Sequence, residues 1–319
     1  MIEVTVSKND SNQRFDRYLK KLFVNAQLSV IYKNIRKKNF KINGKRAHKD
    51  DVLKENDIIK MYITDKDYKK WTYDKKVYEF KEKLNIVYED DNIIIMDKPS
   101  GVLTHSASKK DYGNNMVDYM ISYLYKEKKV NPKDKTFIPA VVNRLDRNTS
   151  GLLIGAKNHD SLIALNEAIR KRKIDKFYLT LVKGKVEDDF EAKFNITKNE
   201  NKNKIKKSKN GTTILTDFKV LSTNGKFSEL ECKLITGKTH QIRFSLKNSN
   251  HPILGDPKYG DLNINKMFSQ LTGEKSQILL AYKLKFNYMD GLEYLNGKEF
   301  ISNSIDRFNK IRDEVYNEL

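Results

Sequence analysis

Pro139 to Ala156 reads PAVVNRLDRNTSGLLIGA. Two apolar runs, Ala140-Val141-Val142 and Leu152-Leu153-Ile154, flank a polar centre. The small residues Thr149, Ser150 and Gly151 permit a sharp turn. That turn leaves Asp146 at the end of a strand, between Arg144 and Arg147. Adjacent cations favour an ionised carboxylate, which suits a nucleophile better than a general acid. From spacing alone Asp146 could equally cap a turn or pair with an arginine.

Around this stretch the chain reads as short strands broken by turns. Leu84 to Glu89 and Asn92 to Asp97 pair across Asp90-Asp91, and 176–182, 213–221, 227–235 and 240–245 are β-rich. Ser161 to Lys171 is a helix with Leu162, Leu165 and Ile169 inward. Strands outnumber helices without alternating with them, which predicts an α+β fold with a mostly antiparallel sheet rather than a doubly wound one. The basic tract Lys198 to Asn210, KNENKNKIKKSKN, reads as a mobile loop. No internal repeat is visible.

The whole chain has 319 residues, room for roughly two domains of about 150 residues. With 38% hydrophobic residues, 15 Phe, 17 Tyr and 1 Trp, it can form packed cores. Lys and Arg number 62 against 42 Asp and Glu, a net charge of +20 that suits a polyanion such as nucleic acid. A lysine-rich proteome would also inflate that figure. Cys232 is the single cysteine, so disulfide frameworks and multi-thiolate zinc sites are excluded. His48, His105, His159, His240 and His251 have no metal-ligand spacing, and no metal or other cofactor is expected. Gly151 and Gly155 lack the Gly-Lys-Ser/Thr of a phosphate loop. No apolar run approaches the roughly 20 residues of a membrane span, and the first residues lack a signal-peptide core. A cytoplasmic monomer without membrane contact is the expectation.

The positive charge is uneven. Residues 1–62 hold 15 Lys and Arg against 7 Asp and Glu. A strand at Ile2 to Val6 precedes a helix from Arg14 to Phe23, with Phe15, Tyr18, Leu19 and Leu22 on one face. A second helix starts near Ser29, a plausible cap, and runs through Ile31, Ile35 and Lys38. Asn43-Gly44 closes a hairpin, and Val52 to Met61 supplies a further strand. Lys33, Arg36, Lys37, Lys38, Lys45 and Arg46 cluster on the second helix and that turn, a concentration that favours a phosphate-binding face over a merely solvated one. Residues 64–83 read as a linker, able to dock by Trp71, Tyr73 and Tyr78.

Two resemblances follow. Positions 13–60 carry R-x-D-x-x-L from Arg14, I-R-K-x-x-x-x-I-N-G-K-R from Ile35 and L-K-E-x-D from Leu53. They resemble the S4-type (αL-type) RNA-binding module, giving an S4 domain at 1–63, a linker at 64–83 and a larger domain at 84–319. The larger domain carries Lys98-Pro99-Ser100-Gly101 with His105, then Arg144-Leu145-Asp146-Arg147-Asn148-Thr149-Ser150-Gly151, then Lys176-Phe177-Tyr178-Leu179. Thr236 to Arg243, TGKTHQIR, and His251 to Gly260, HPILGDPKYG, complete five blocks in order. Together they resemble the RluA/RluC/RluD-type RNA pseudouridine synthases.

The resemblance implies an isomerase that breaks the N1–C1′ bond of uridine and joins C5 to C1′, with no redox step. It makes Asp146 the essential carboxylate, Arg243 its ion-pair partner and Tyr178 the residue that stacks on uracil and helps move the C5 proton. Arg144 would fill the gap left by a flipped-out uridine, offsetting a few kcal/mol of unstacking, and Arg147 joins it in binding RNA. Large-subunit ribosomal RNA is the expected partner and transfer RNA the alternative. The chain departs from the family at Asn143 and Ser245, both often His, at Lys238, usually Arg, and at Leu280, in place of the His of Leu-His-Ala. These departures bear on target and rate. A catalytically inactive RNA-binding or ribosome-assembly protein is the reading from another class. A hydrolytic glycosidase, which needs two carboxylates about 5–10 Å apart, ranks last.

Overall fold

The computed structural model describes residues 1–72, 84–130, 134–199 and 204–319. The chain opens with β1 (Ile2–Thr5), α1 (Phe15–Leu22), α2 (Leu28–Arg36), β2 (Phe40–Ile42), β3 (Lys45–Arg46) and β4 (Ile58–Met61). The strands form a sheet in the order β1-β4-β2-β3. Phe15, Tyr18, Leu19 and Leu22 share the buried face of α1 and pack with Ile31, Ile35, Phe40, Ile59 and Met61 into a separate core. Asn43 and Gly44 have φ of 49° and 80°, the two left-handed residues of a type I′ hairpin turn. Ser29 does not cap α2, which starts a residue earlier behind Gln27 without a side-chain cap. Beyond β4, α3 (Asp65–Trp71) is capped by Thr64 and sets Trp71 5.5 Å from the Phe23 ring centroid. Tyr73 and Tyr78 lie outside the described residues.

The rest of the chain is built on one large sheet. Its elements are β5 (Ile86–Glu89), β6 (Ile93–Lys98), α4 (Met116–Lys126), β7 (Ala140–Val141), β8 (Ser150–Ala156) and α5 (His159–Arg170). Next come β9 (Ile174–Lys183), β10 (Phe190–Asn199), β11 (Lys204–Lys207), β12 (Thr212–Thr223) and β13 (Phe227–Leu234). The last are α6 (Gln241–Asn248), α7 (Leu262–Thr272), β14 (Leu279–Phe286), β15 (Glu299–Ile301) and α8 (Ile305–Glu318). The strand order is β11-β10-β12-β13-β9-β14-β8-β6-β5, with β7 beside β8 and β15 beside β14. Among the described pairs of strands only β8 with β14 is parallel. The fold is therefore α+β and dominated by antiparallel pairs.

Both faces of the central strands are covered. Ile94, Met96 and Leu153 face one core, while Ile93, Ile95, Leu152 and Ile154 face another. A strand buried on both sides has no polar face, which is why its sequence is a continuous apolar run.

Two segments depart from the sequence reading. Residues 240–245, expected as strand, belong to α6 and its cap, and Gln241 to Leu246 are all buried. A helix buried all round carries no amphipathic period, so hydrophobic spacing could not identify it. Of Lys198 to Asn210, expected as a mobile loop, residues 198–199 end β10 and 204–207 form β11, which pair antiparallel, while 200–203 lie outside the described residues. Ile205 is buried beside Ile196, Ile214 and Tyr259, a single anchor hidden in lysine-rich composition.

The two parts of the chain touch through Asp10, which is fully buried. Its carboxylate accepts from the N–H groups of Lys135, Thr136 and Phe137 and from the Thr136 hydroxyl, at 2.7, 2.9, 3.2 and 2.7 Å respectively. Asn9 adds a bond to Asp134 at 2.7 Å and accepts from the His159 N–H at 3.0 Å.

Candidate active site

The loop joining β7 to β8 carries Asp146, and four local devices fix it. Gly151 sits at φ 110°, where a Cβ would overlap the backbone of Ala281, its parallel neighbour on β14. Only glycine lets β14 approach there. Asn143 donates to Leu152 O at 3.1 Å and accepts from Ile154 N–H at 2.8 Å, so it braces the two arms of the loop. The Thr104 hydroxyl exchanges bonds with both backbone groups of Leu145. Lys98 is fully buried and donates to Pro99 O, Val102 O and Arg147 O, each at 2.8 Å. Burial pushes its pKa down to about 7, against the pull of the Asp146 carboxylate. Three carbonyl acceptors use all three N–H groups of an ammonium, which holds the charged form.

The cation paired with Asp146 is neither sequence neighbour. Arg144 is exposed at the cleft, and Arg147 reaches toward Asp111 at 3.8 Å. Arg243, on α6, places Nη1 3.1 Å from Asp146 Oδ2. Its Nε and Nη2 are gripped by Asp256 at 2.8 Å each, a bidentate fork that fixes the guanidinium plane. Asp256 also accepts from the N–H groups of Lys258 and Tyr259. Burial pushes the Asp256 carboxyl up, but Arg243 and those N–H groups outweigh it and leave the pKa below the usual value. For Arg243, burial pulls down while Asp256 and Asp146 raise the net pKa. Charge therefore alternates along a line that runs from the buried Asp256 through Arg243 to the half-buried Asp146.

A cleft of about 620 Å³ opens over Asp146. Tyr178, buried on β9 with Cys232 and Ala281 as sheet neighbours, lines it beside Leu145 and Leu279. Burial, then the nearby Asp146 and Cys232, push the Tyr178 hydroxyl pKa up. Arg144, Arg170, Arg172, Lys176, Lys233 and Lys238 also line the cleft. Such a rim of cations suits a phosphodiester chain.

The structure thus brings Asp146, Tyr178, Arg243 and Arg144 together. Arg147 does not line the cleft, and contributes its carbonyl to Lys98 instead. Lys33, Arg36, Lys37, Lys38, Lys45 and Arg46 are all exposed on the N-terminal unit and form no ion pair among the described residues. Sequence reasoning left Asp256, Lys98 and His240 without roles although each stands inside one of the five blocks. Asp256 was the one with a signal, a lone acid between Gly255 and Pro257 in an otherwise apolar and basic block. Among the described residues no cluster of His, Cys, Asp and Glu could hold a metal ion, and no helix is long and apolar enough to cross a membrane.

Known proteins with this arrangement define its class. The RNA pseudouridylate synthase family model matches residues 92–248, the span from β6 to α6 that holds Asp146, Tyr178 and Arg243. An uncharacterized RNA pseudouridine synthase of Mycoplasma capricolum is 37% identical over 95% of this chain and 98% of its own. Ribosomal large subunit pseudouridine synthase C of Vibrio parahaemolyticus is 30% identical over 92% of this chain and 90% of its own. The chain belongs to the RNA pseudouridine synthase family, as an RluA/RluC/RluD-type enzyme. It is an isomerase of RNA uridine. The human RNA pseudouridylate synthase domain-containing protein 4 shares the fold, with a TM-score of 0.57 at 22% identity, over 72% of this chain and 92% of its own.

Proposed function

We propose that this enzyme converts uridines of large-subunit ribosomal RNA to pseudouridine, with Asp146 as the essential carboxylate acting on a flipped-out base. The observation that carries the reading is the Asp146–Arg243 pair, at 3.1 Å, beneath a cation-lined cleft. Relatives named for the large ribosomal subunit support the choice of RNA. Arg243 pairs with the Asp146 carboxylate, which is ready either to attack C1′ or to remove a 2′ proton and release the base as a glycal. Tyr178 stacks on the uracil and walls the cleft against water. Arg144 occupies the gap that the extruded base leaves in the helix. Residues 1–63 act as an S4-type RNA-binding unit, with Lys33, Arg36, Lys37, Lys38, Lys45 and Arg46 on phosphates, and Arg147 adds charge near the catalytic loop.

The test is pseudouridine mapping by carbodiimide labelling and primer extension, in cells with and without the protein. Loss of one or a few sites in the large ribosomal RNA is the expected result. Loss in transfer RNA would keep the chemistry and move the substrate. No change in any RNA would leave a catalytically inactive binder as the better account.

A further inference from the structure

The resemblance gives the C5 proton of this reaction to Tyr178, and the geometry points to another owner. Once C5 has attacked C1′, C5 is tetrahedral and still carries its hydrogen, and the ring holds an N1=C6 double bond. A base must take that proton. The C–H electron pair then forms C5=C6, the N1=C6 pair moves onto N1, and N1 takes up a proton, so the product is an isomer of the substrate. Because C5 is now bonded to C1′, the base must stand near the carboxylate that served C1′. Tyr178 is poorly suited, since a neutral phenol is a weak acceptor and its surroundings oppose the phenolate. Asp146 is held by Arg243.

On the reading proposed above, we infer that His240 Nε2 is the base that takes the C5 proton, with its Nδ1–H held by the Tyr259 hydroxyl oxygen. His240 lines the cleft with Asp146, and its Nε2 lies 3.9 Å from Asp146 Oδ2. Nδ1 is 3.2 Å from Tyr259 Oη, and that oxygen accepts from the Ile205 N–H at 3.2 Å. With the ring proton on Nδ1, two lone pairs on that oxygen serve both donors and the lone pair of Nε2 is left for the cleft. His240 stands at the N-terminus of α6 with a left-handed backbone, φ 53° and ψ 21°. After transfer, the imidazolium would face the regenerated Asp146 carboxylate.

The groups around His240 are Asp146 from the β7–β8 loop, Arg243 on α6, and Asp256, Lys258 and Tyr259 from the segment before α7. Burial dominates and lowers the His240 pKa, Arg243 and Lys258 acting with it and Asp146 and Asp256 against it. The ring is therefore neutral at pH 7 and able to accept a proton.

The experiment compares wild type with His240→Asn, since asparagine tolerates the left-handed backbone. One probe is a large-subunit ribosomal RNA transcript made with [5-³H]uridine, and the other is the same transcript made with 5-fluorouridine. A transcript made with 5-deuterated uridine gives the isotope effect. The expected result is tritium release slowed about 100-fold, a primary isotope effect on C5 that wild type lacks, and reaction with the 5-fluorouridine transcript at the wild-type rate. Fluorouridine has no C5 proton to lose, so it tests folding, binding and the first step together. Equal slowing on both transcripts would overturn the inference, because a structural role slows both. Tritium release within twofold of wild type would overturn it as well. Wild-type enzyme that released no tritium from this transcript would instead refute the proposed substrate, a result that the variant cannot mimic.

Discussion

The cleft and the N-terminal unit are both basic, yet they hold their charge in opposite ways. In the cleft, Arg243 keeps a side chain only 5% exposed and directs its donors to two carboxylates. On the N-terminal unit, Lys33, Arg36, Lys37, Lys38, Lys45 and Arg46 stand in solvent without an ion pair among the described residues. Buried charge is unfavourable unless matched, so its geometry is fixed and can direct a single reacting atom. Exposed charge is well solvated, mobile and screened by salt, so it can attract a polyanion but cannot position an atom. On the proposed function, the two regions divide the work into chemistry and capture.

The sharpest way to break that division is at Asp146. Asp146→Ala is expected to abolish pseudouridine formation while RNA affinity stays within a few fold, because phosphate contacts dominate binding. A tritium-release assay and filter binding on one preparation check both halves. A residual rate near wild type would dismiss Asp146 as the essential carboxylate, and a large loss of affinity would show that the cleft itself does the capturing.

Next in size is the clamp behind the arginine. Asp256→Asn keeps the volume but weakens the fork, leaving Arg243 buried with less compensation. Breaking a buried pair costs about 3–5 kcal/mol, and urea titration should find most of that loss. A guanidinium free to rotate should also lower the turnover rate about 100-fold, since a misplacement of about 1 Å can cost that much. If stability falls while turnover per folded molecule is unchanged, Asp256 is a structural partner and does not position Arg243.

What the sequence made legible follows the same line between local and distant. The hairpin at Asn43-Gly44, the helix around Leu165 and the pairing of β5 with β6 rest on short-range turn chemistry and period, and they could be read directly. The block motifs drew Asp146, Tyr178, Arg243 and Arg144 to attention, and these four do share one cleft. Harder to see was anything set by a distant partner. Local spacing offered Asp146 only its flanking arginines, and it was the block resemblance that named Arg243, 97 positions along the chain, as the ion-pair partner the structure shows. Helix α6 was hidden because burial on every side erases its period. Asp10 was hidden for another reason: its four donors lie about 125 residues away, and an aspartate near a chain start looks like any surface acid.

That buried Asp10 also dictates how the smallest effect should be measured. Removing residues 1–62 would strip the acceptor from the N–H groups of Lys135, Thr136 and Phe137, so a deletion would confound capture with damage near the catalytic unit. Lys37→Glu with Lys38→Glu avoids this, because both side chains are exposed at the end of α2 and touch no part of the cleft. The double variant should bind a large-subunit ribosomal RNA transcript several-fold more weakly. The slope of log affinity against log salt should become shallower by about 1.5, since each phosphate that is no longer neutralised removes about 0.7–0.9 from it. Single-turnover rates at saturating RNA should not move. A slower chemical step at saturation would mean that the N-terminal face orients the target uridine as well as holding the RNA, and the division of work between the two regions would have to be redrawn.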